Sequence, residues 1–198
     1  ARITVSEARS GGLSIYAMKS PDLERPFWGV RATSQASRED SLRALLRRLP
    51  VYAFLIGFSA AQVSGWPLPW RDRDRGTSKP SVGVPAGKAQ IRQRGVESRR
   101  IGVDVEEIVM VNGFRVPAPA RTWLDLSARL GEEDLVALTD YLLHPASPWV
   151  TLEELEDICC RLPKAPGARA RRNALALCDP AAESPMESKV RVRLIRAG

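Results

Sequence analysis

Arginine is the side chain in this sequence whose placement can do chemistry. Arg43, Arg47 and Arg48 crowd one short segment, and Arg92, Arg94, Arg99 and Arg100 crowd another. A guanidinium is planar, permanently charged and presents its N–H donors in a fork that matches a phosphate. Clusters of it are candidates for gripping a nucleic-acid backbone, a contact that positions a duplex without reading its sequence. The plainer reading is a solvated face, because charge along a sheet edge protects it from pairing with another chain. Any one of these arginines fits the plainer role. The clustering favours the nucleic-acid role.

Other chemistry is sparsely represented. The sequence contains no GxSxG, no Walker loop and no HExxH. His144, the single histidine, precedes Pro145. At a helix end a cation there would meet the favourable end of the helix dipole. A general base would also need a partnered nucleophile, so capping or exposure is the expected role. Cys159, Cys160 and Cys178 show no CxxC and no even-numbered framework. They read as buried thiols in a reducing cytoplasm, with no metal site expected. Asp125 and Glu132 to Asp134 form an acidic patch, and the last three suit the first turn of a helix.

Composition sets the frame around these residues. The chain has 198 residues, 44% hydrophobic and 27% charged, which suffices for a buried core and disfavours broad disorder. Its longest uncharged stretch, Leu49 to Trp70, is broken by Pro50, Gly57, Gly65, Pro67 and Pro69. That argues against a membrane span. No charged-then-apolar leader opens the chain, so a cytoplasmic location is expected. The formal net charge is +7, and 25 of the 30 basic residues are Arg. Residues 1–80 carry 13 basic and 7 acidic groups, residues 81–130 carry 8 and 5, and residues 131–198 carry 9 and 11. The positive excess therefore sits in the first two thirds, where a polyanion such as DNA would be drawn. Arg-rich codon usage is the competing explanation.

The elements that must position these side chains follow from periodicity. Residues 1–30 read as a small mixed segment ending in an aromatic, Gly-punctuated extended run, with Phe27 and Trp28 expected in the core. Ser41 to Leu49 predicts a helix with Leu42, Leu45, Leu46 and Leu49 on one face and Arg43, Arg47 and Arg48 on the other. The stretch Ser59 to Pro67 reads as a short helix capped by Ser59 and stopped by Gly65 and Pro67. After the charged loop Arg71 to Gly76, strands are expected at Ser81–Val84, Val96–Ile101, Ile108–Val111 and Phe114–Val116. Asn112-Gly113 between the last two is a type I′ hairpin signal, since both residues tolerate positive φ. Strand alternation would put Arg92 and Arg94 on one face and turn Arg99 and Arg100 opposite ways.

The remainder reads as helical. Pro119 occupies a first turn, followed by Trp123, Leu126 and Leu130, and Gly131 separates that run from Leu135, Leu138 and Leu142. Thr151 with Glu154 forms a capping box ahead of a buried face of Leu152, Leu155, Cys159 and Leu162. Pro163 to Gly167 leads to a helix carrying Arg169, Arg171 and Arg172. Ser184 with Glu187 forms a second box, opening a helix with Met186, Val190 and Leu194 along one side.

Taken in order, "GVRA", "SAAQVSGWPLP", "SVGVPAG", "RGVESRRI", "VNGFRVPAPARTWLDLSARL", "LVALTDYLLHP" and "TLEELEDICCRLP" resemble a group of actinobacterial proteins. Their front half is similar to AbiEi-type antitoxins of type IV toxin–antitoxin systems. Their carboxyl end is similar to the Vsr-like branch of the PD-(D/E)xK endonucleases, and "ALCDPAAESPMESKVRVRLIRAG" looks like the junction into that nuclease domain. The resemblance implies DNA as a partner, a toxin as a possible protein partner, and Mg²⁺ as the cofactor of a full-length nuclease. Glu187 falls where it would put a first-helix acid, although capping Ser184 is that residue's plainer role. The sheet that would supply the other metal ligands is missing after Gly198, so no cofactor and no catalysis are expected of this chain. Both ends look cut, as in part of a longer protein. The stretch "ARSGGLSIYAMKSPDLERPFWGVRA" keeps a wing-like end but only a short, Gly- and Pro-interrupted region where two helices should precede it.

The expected architecture is α+β. A degenerate winged-helix-like N-terminal region spans 1–75, an antiparallel sheet with hairpin and helices spans 76–145, and a helical segment spans 146–198. The expected function is that of a DNA-associated module of an endonuclease-like or defence-related protein. An antitoxin-like repressor or protein-interaction scaffold is the alternative.

Overall fold

A computed structural model of the chain describes residues 2–25, 27, 29–33, 37–69 and 79–198. Trp28 and the charged loop Arg71 to Gly76 lie outside the described residues. The fold is α+β, with small sheets in the first part and helices in the last.

Strand β1 (Arg2–Thr4) leads directly into helix α1 (Val5–Ser10). Thr4 caps that helix: its Oγ1 accepts from the Glu7 amide, and the Glu7 carboxylate accepts from the Thr4 amide. Gly11 and Gly12 stop it after six residues. Only a 3₁₀ turn, Ala17–Lys19, follows before β2 (Leu23–Glu24) and β3 (Val30–Thr33). The strands pair antiparallel in the order β1-β3-β2. A helix between β1 and β2 and a loop between β2 and β3 give a degenerate winged-helix-like arrangement. Its second helix is reduced to one turn, because Gly and Pro interrupt the segment where it would form.

Helix α2 spans Arg38–Arg48 and begins before the predicted Ser41, because Ser37 and Asp40 form a capping box that sequence periodicity did not reveal. Its Leu42 and Leu45 are fully buried against Val30, Leu55, Val82 and Phe114.

Strand β4 (Phe54–Leu55), helix α3 (Gly57–Val63), β5 (Ser81–Pro85) and β6 (Glu97–Ile101) come next. The sheet order is β4-β5-β6, with β4 antiparallel to β5 but β6 parallel to it. The all-antiparallel expectation is corrected here. Antiparallel neighbours can be joined by a tight turn, whereas residues 86–96 form a long connection that carries the chain back to the start of β5. Gly83 in β5 is required by packing, since a Cβ there would lie 2.5 Å from the Phe54 ring. Ser59 does not cap α3. It lies inside the helix, and its Oγ accepts from the Ser81 amide at 3.0 Å, joining α3 to β5.

Strands β7 (Ile108–Val111) and β8 (Phe114–Pro117) form the expected hairpin, with Asn112 at φ 50° and Gly113 at φ 78°. Its tip is anchored: Asn112 Nδ2 donates to the Val63 carbonyl at 2.9 Å, and Arg43 Nη2 donates to the Asn112 carbonyl at 2.7 Å.

Helices α4 (Pro119–Leu126), α5 (Glu132–Leu143), α6 (Leu152–Arg161), α7 (Ala168–Leu177) and α8 (Pro185–Ala197) complete the chain. Their shared core holds Trp123, Leu126, Leu135, Leu138, Leu142 and Leu155, joined by Phe58 and Ala61 of α3. The Trp123 indole donates to Thr139 Oγ1 at 2.9 Å inside it. The Thr151–Glu154 box caps α6 as expected. The buried face, however, is Leu155 and Ile158, with Leu152 44% exposed, because the first helical residue lies at the open edge of the contact.

Helix α8 packs on α5 through buried Ser188 and Val192, framed by ion pairs. Lys189 pairs with Asp134, Arg191 with Asp140 at 2.6 Å, Arg193 with Glu133 at 2.8 Å and Arg196 with Glu132 at 2.7 Å. The expected reciprocal box at Ser184 is half formed. Ser184 accepts from the Glu187 amide, but the Glu187 carboxylate accepts from the Glu183 amide.

Two outcomes are expected. Trp123→Ala should cost about 3–5 kcal/mol in chemical denaturation, since it empties the centre of the helical core. The second concerns pH. Hydrogen bonds from Arg196 and Arg193 hold Glu132 and Glu133 below the usual carboxylate range. Their stabilisation is therefore complete above the ordinary glutamate pKa of 4.5 and fades as the pH falls through their lowered values. Burial pushes the Asp140 carboxyl up, which gives the opposite sign. Acidification should thus lower hydrogen-exchange protection factors, taken relative to the intrinsic rate at each pH, first in the last turns of α8, where Arg193 and Arg196 sit.

Candidate nucleic-acid interface

The winged region and α2 enclose a groove of about 840 Å³. Five arginines line it: Arg9 from α1, Arg25 at the end of β2, Arg31 from β3, Arg48 closing α2, and Arg94 from the β5–β6 connection. No Asp or Glu is among its described lining residues. Arg31 is held by neutral oxygens, its Nε donating to the Met18 carbonyl at 2.8 Å and Nη1 to the Val30 carbonyl at 3.1 Å. Burial, and then the charge of Arg25, pull its pKa below the ordinary arginine value. Desolvation is the larger cause, and the neighbouring cation acts in the same direction. Arg9, Arg25 and Arg94 form no ion pair with any described residue.

Backbone geometry fixes one wall. Gly29 adopts φ 75°, and its carbonyl accepts from the Val5 amide at 2.9 Å, which ties the wing loop to the start of α1. A Cβ on Gly29 would lie 1.3 Å from Arg48 Nη1. Glycine is thus what allows the Arg48 guanidinium to lie against the wing backbone.

The predicted arginines divide. Arg48 and Arg94 reach the groove. Arg43 and Arg47 tie α2 to its neighbours: Arg43 sits over the Phe114 ring at 4.4 Å and holds the hairpin tip, while Arg47 pairs with Glu7 of α1 at 3.1 Å. They flank a separate shallow pocket of about 500 Å³ that also takes in Arg115. Arg92 is exposed and outside the groove. The strand alternation expected to put it beside Arg94 is overturned. Residues 91–93 are irregular, 94–95 are a turn with Gly95 at φ 84°, and the strand begins at Glu97. Within β6, Arg99 pairs with Glu97 at 2.7 Å and lines a different cavity, while Arg100 is exposed.

Arg9, Arg25 and Arg31 were not singled out from sequence. Each is a single Arg outside any cluster in the sequence, and the β1-β3-β2 pairing brings them together. Glu187, spent on capping, does not provide a Mg²⁺ cradle. Among the described residues no group of three or more His, Cys, Asp and Glu is arranged to hold a metal. His144 closes α5, its Nδ1 accepting from the Ala146 amide at 3.3 Å. Cys159, Cys160 and Cys178 are free, and burial raises the pKa of Cys159 and Cys178. Cys160 is exposed.

No family model matches the chain, and no curated protein matches it. Its fold is similar to the crystal structure of the RV2827C protein from Mycobacterium tuberculosis, with a TM-score of 0.54 and 16% identity. That likeness covers 98% of this chain and 76% of the other, and it is a likeness of fold.

Proposed function

We propose that this chain is a DNA-associated module of an endonuclease-like or defence-related protein, holding nucleic acid through arginine–phosphate contacts. The observation that carries the reading is the groove in which Arg9, Arg25, Arg31, Arg48 and Arg94 converge with no lining carboxylate. Each phosphate neutralised there releases counterions, which makes such binding strong at low salt and independent of sequence. The reduced second helix supports a backbone-gripping role, since it leaves no long helix in the winged region to read base edges in the major groove.

Fluorescence anisotropy with a random-sequence duplex across a salt series tests the proposal. The chain should bind at low salt, and affinity should fall steeply as salt rises. Replacing Arg25 and Arg94 together by Glu should weaken binding about tenfold or more and flatten the log–log salt slope by about 2 units, one for each lost phosphate contact. Arg92→Glu, outside the groove, should change far less. No binding even at low salt overturns the proposal.

Gly29→Ala makes the same point at constant charge. The added Cβ displaces Arg48, and positive φ costs an alanine about 1–2 kcal/mol. Affinity should fall, and thermal unfolding should move to lower temperature. Unchanged affinity would take Arg48 out of the interface.

A further inference from the structure

A second cavity, of about 470 Å³, lies where sheet β4-β5-β6 meets α4 and the connection between α6 and α7. Its size is that of a small-molecule site. Ile101, Leu124 and Leu162 provide apolar wall. Five cationic side chains from separate segments also line it: Arg99 of β6, Arg121 of α4, Arg129 after α4, Arg161 of α6, and Lys164. Asp125 is the single acid among its lining residues, paired with Arg121 at 3.3 Å.

The carboxylates that hold these cations mostly stand outside the lining. Glu107 and Asp157 hold Arg161 at 3.1 and 2.9 Å. One oxygen, Glu97 Oε1, takes both Arg99 at 2.7 Å and Arg129 at 3.3 Å. Two guanidiniums on one carboxylate leave a positive charge uncompensated beside an apolar wall. Lys164 adds another, with no ion pair to any described residue.

The wall is set before any ligand arrives. Arg171, only 2% exposed, donates to the Pro166 carbonyl at 2.6 Å, the Ala165 carbonyl at 3.1 Å and Ser127 Oγ at 3.1 Å. Gly167, at φ 87°, lets the connection press on Ser127 and Ala128, where a Cβ would approach within 2.6–2.8 Å. A preformed wall lowers the ordering cost of binding.

We infer that this cavity binds a small phosphate monoester with an apolar body, its phosphate on the Arg99–Arg129 pair and its body against Ile101, Leu124 and Leu162. A dianion answers the two surplus charges, one on the Arg99–Arg129 pair and one on Lys164, and the fork geometry of Arg suits phosphate oxygens. The inference does not depend on nucleic-acid binding in the Arg9–Arg94 groove.

Isothermal titration of the whole chain with 1-naphthyl phosphate at low salt tests it, with 1-naphthoate and 1-naphthol as comparison probes. One-site binding is expected, with naphthoate weaker and naphthol at least tenfold weaker than the phosphate ester. Arg129→Gln should weaken the phosphate ester about tenfold, and Arg94→Glu should leave it unchanged. Arg99→Gln provides the same test should Arg129→Gln fail to fold by circular dichroism. The inference is overturned by equal affinity for naphthol and naphthyl phosphate, by naphthoate binding as tightly as the phosphate, by no heat at millimolar probe, or by a loss that follows Arg94→Glu instead. Failure here with intact DNA binding leaves the groove reading standing, and the reverse result leaves this one standing.

Discussion

Helix α3 is the constraint on which the rest of the structure depends. Gly57, Phe58, Ser59, Ala60, Ala61 and Val63 are all buried, so the helix has almost no solvent face. Ala60 and Val63 belong to the core that α2, β5 and β8 share, while Phe58 and Ala61 belong to the core of the C-terminal helices. Small residues are what permit approach from both sides, since a larger chain would overfill one core or the other. Polar groups on α3 then set the register of its neighbours. Ser59 takes the Ser81 amide of β5, and the Val63 carbonyl takes Asn112 at the hairpin tip. The winged region reaches this frame through α2, whose buried leucines share the first core.

The two ends of the molecule handle positive charge differently. In the last helices cations answer acids nearly one for one, through Lys189–Asp134, Arg191–Asp140, Arg193–Glu133 and Arg196–Glu132. In the winged groove, Arg9, Arg25 and Arg94 have no such partners among the described residues, and Arg31 leans on backbone carbonyls. Four of the thirteen basic residues of the first 80, Arg9, Arg25, Arg31 and Arg48, thus meet in this one groove.

Local signals carried much of this fold and little of the site. The Asn112-Gly113 hairpin, Pro119 at a helix start and the Thr151–Glu154 box each satisfy a short-range rule, and each stands in the structure. Strand pairing is a long-range property, so the parallel alignment of β5 and β6 left no mark in either strand. Ser59 looked like a cap because an N-cap and a buried helical serine are the same residue type; only the Ser81 amide distinguishes them. The groove was partly visible through Arg48 and Arg94. Arg9, Arg25 and Arg31 share no periodic run and meet only after three strands pair, which no local periodicity encodes.

Arg31 carries a consequence for the free protein. Its guanidinium lines the same groove as Arg25, and backbone carbonyls rather than a carboxylate hold it. A polyanion laid over these arginines would be met only by the folded arrangement that brings α1, β3 and α2 together. Its binding energy would then add to the stability of the folded winged region.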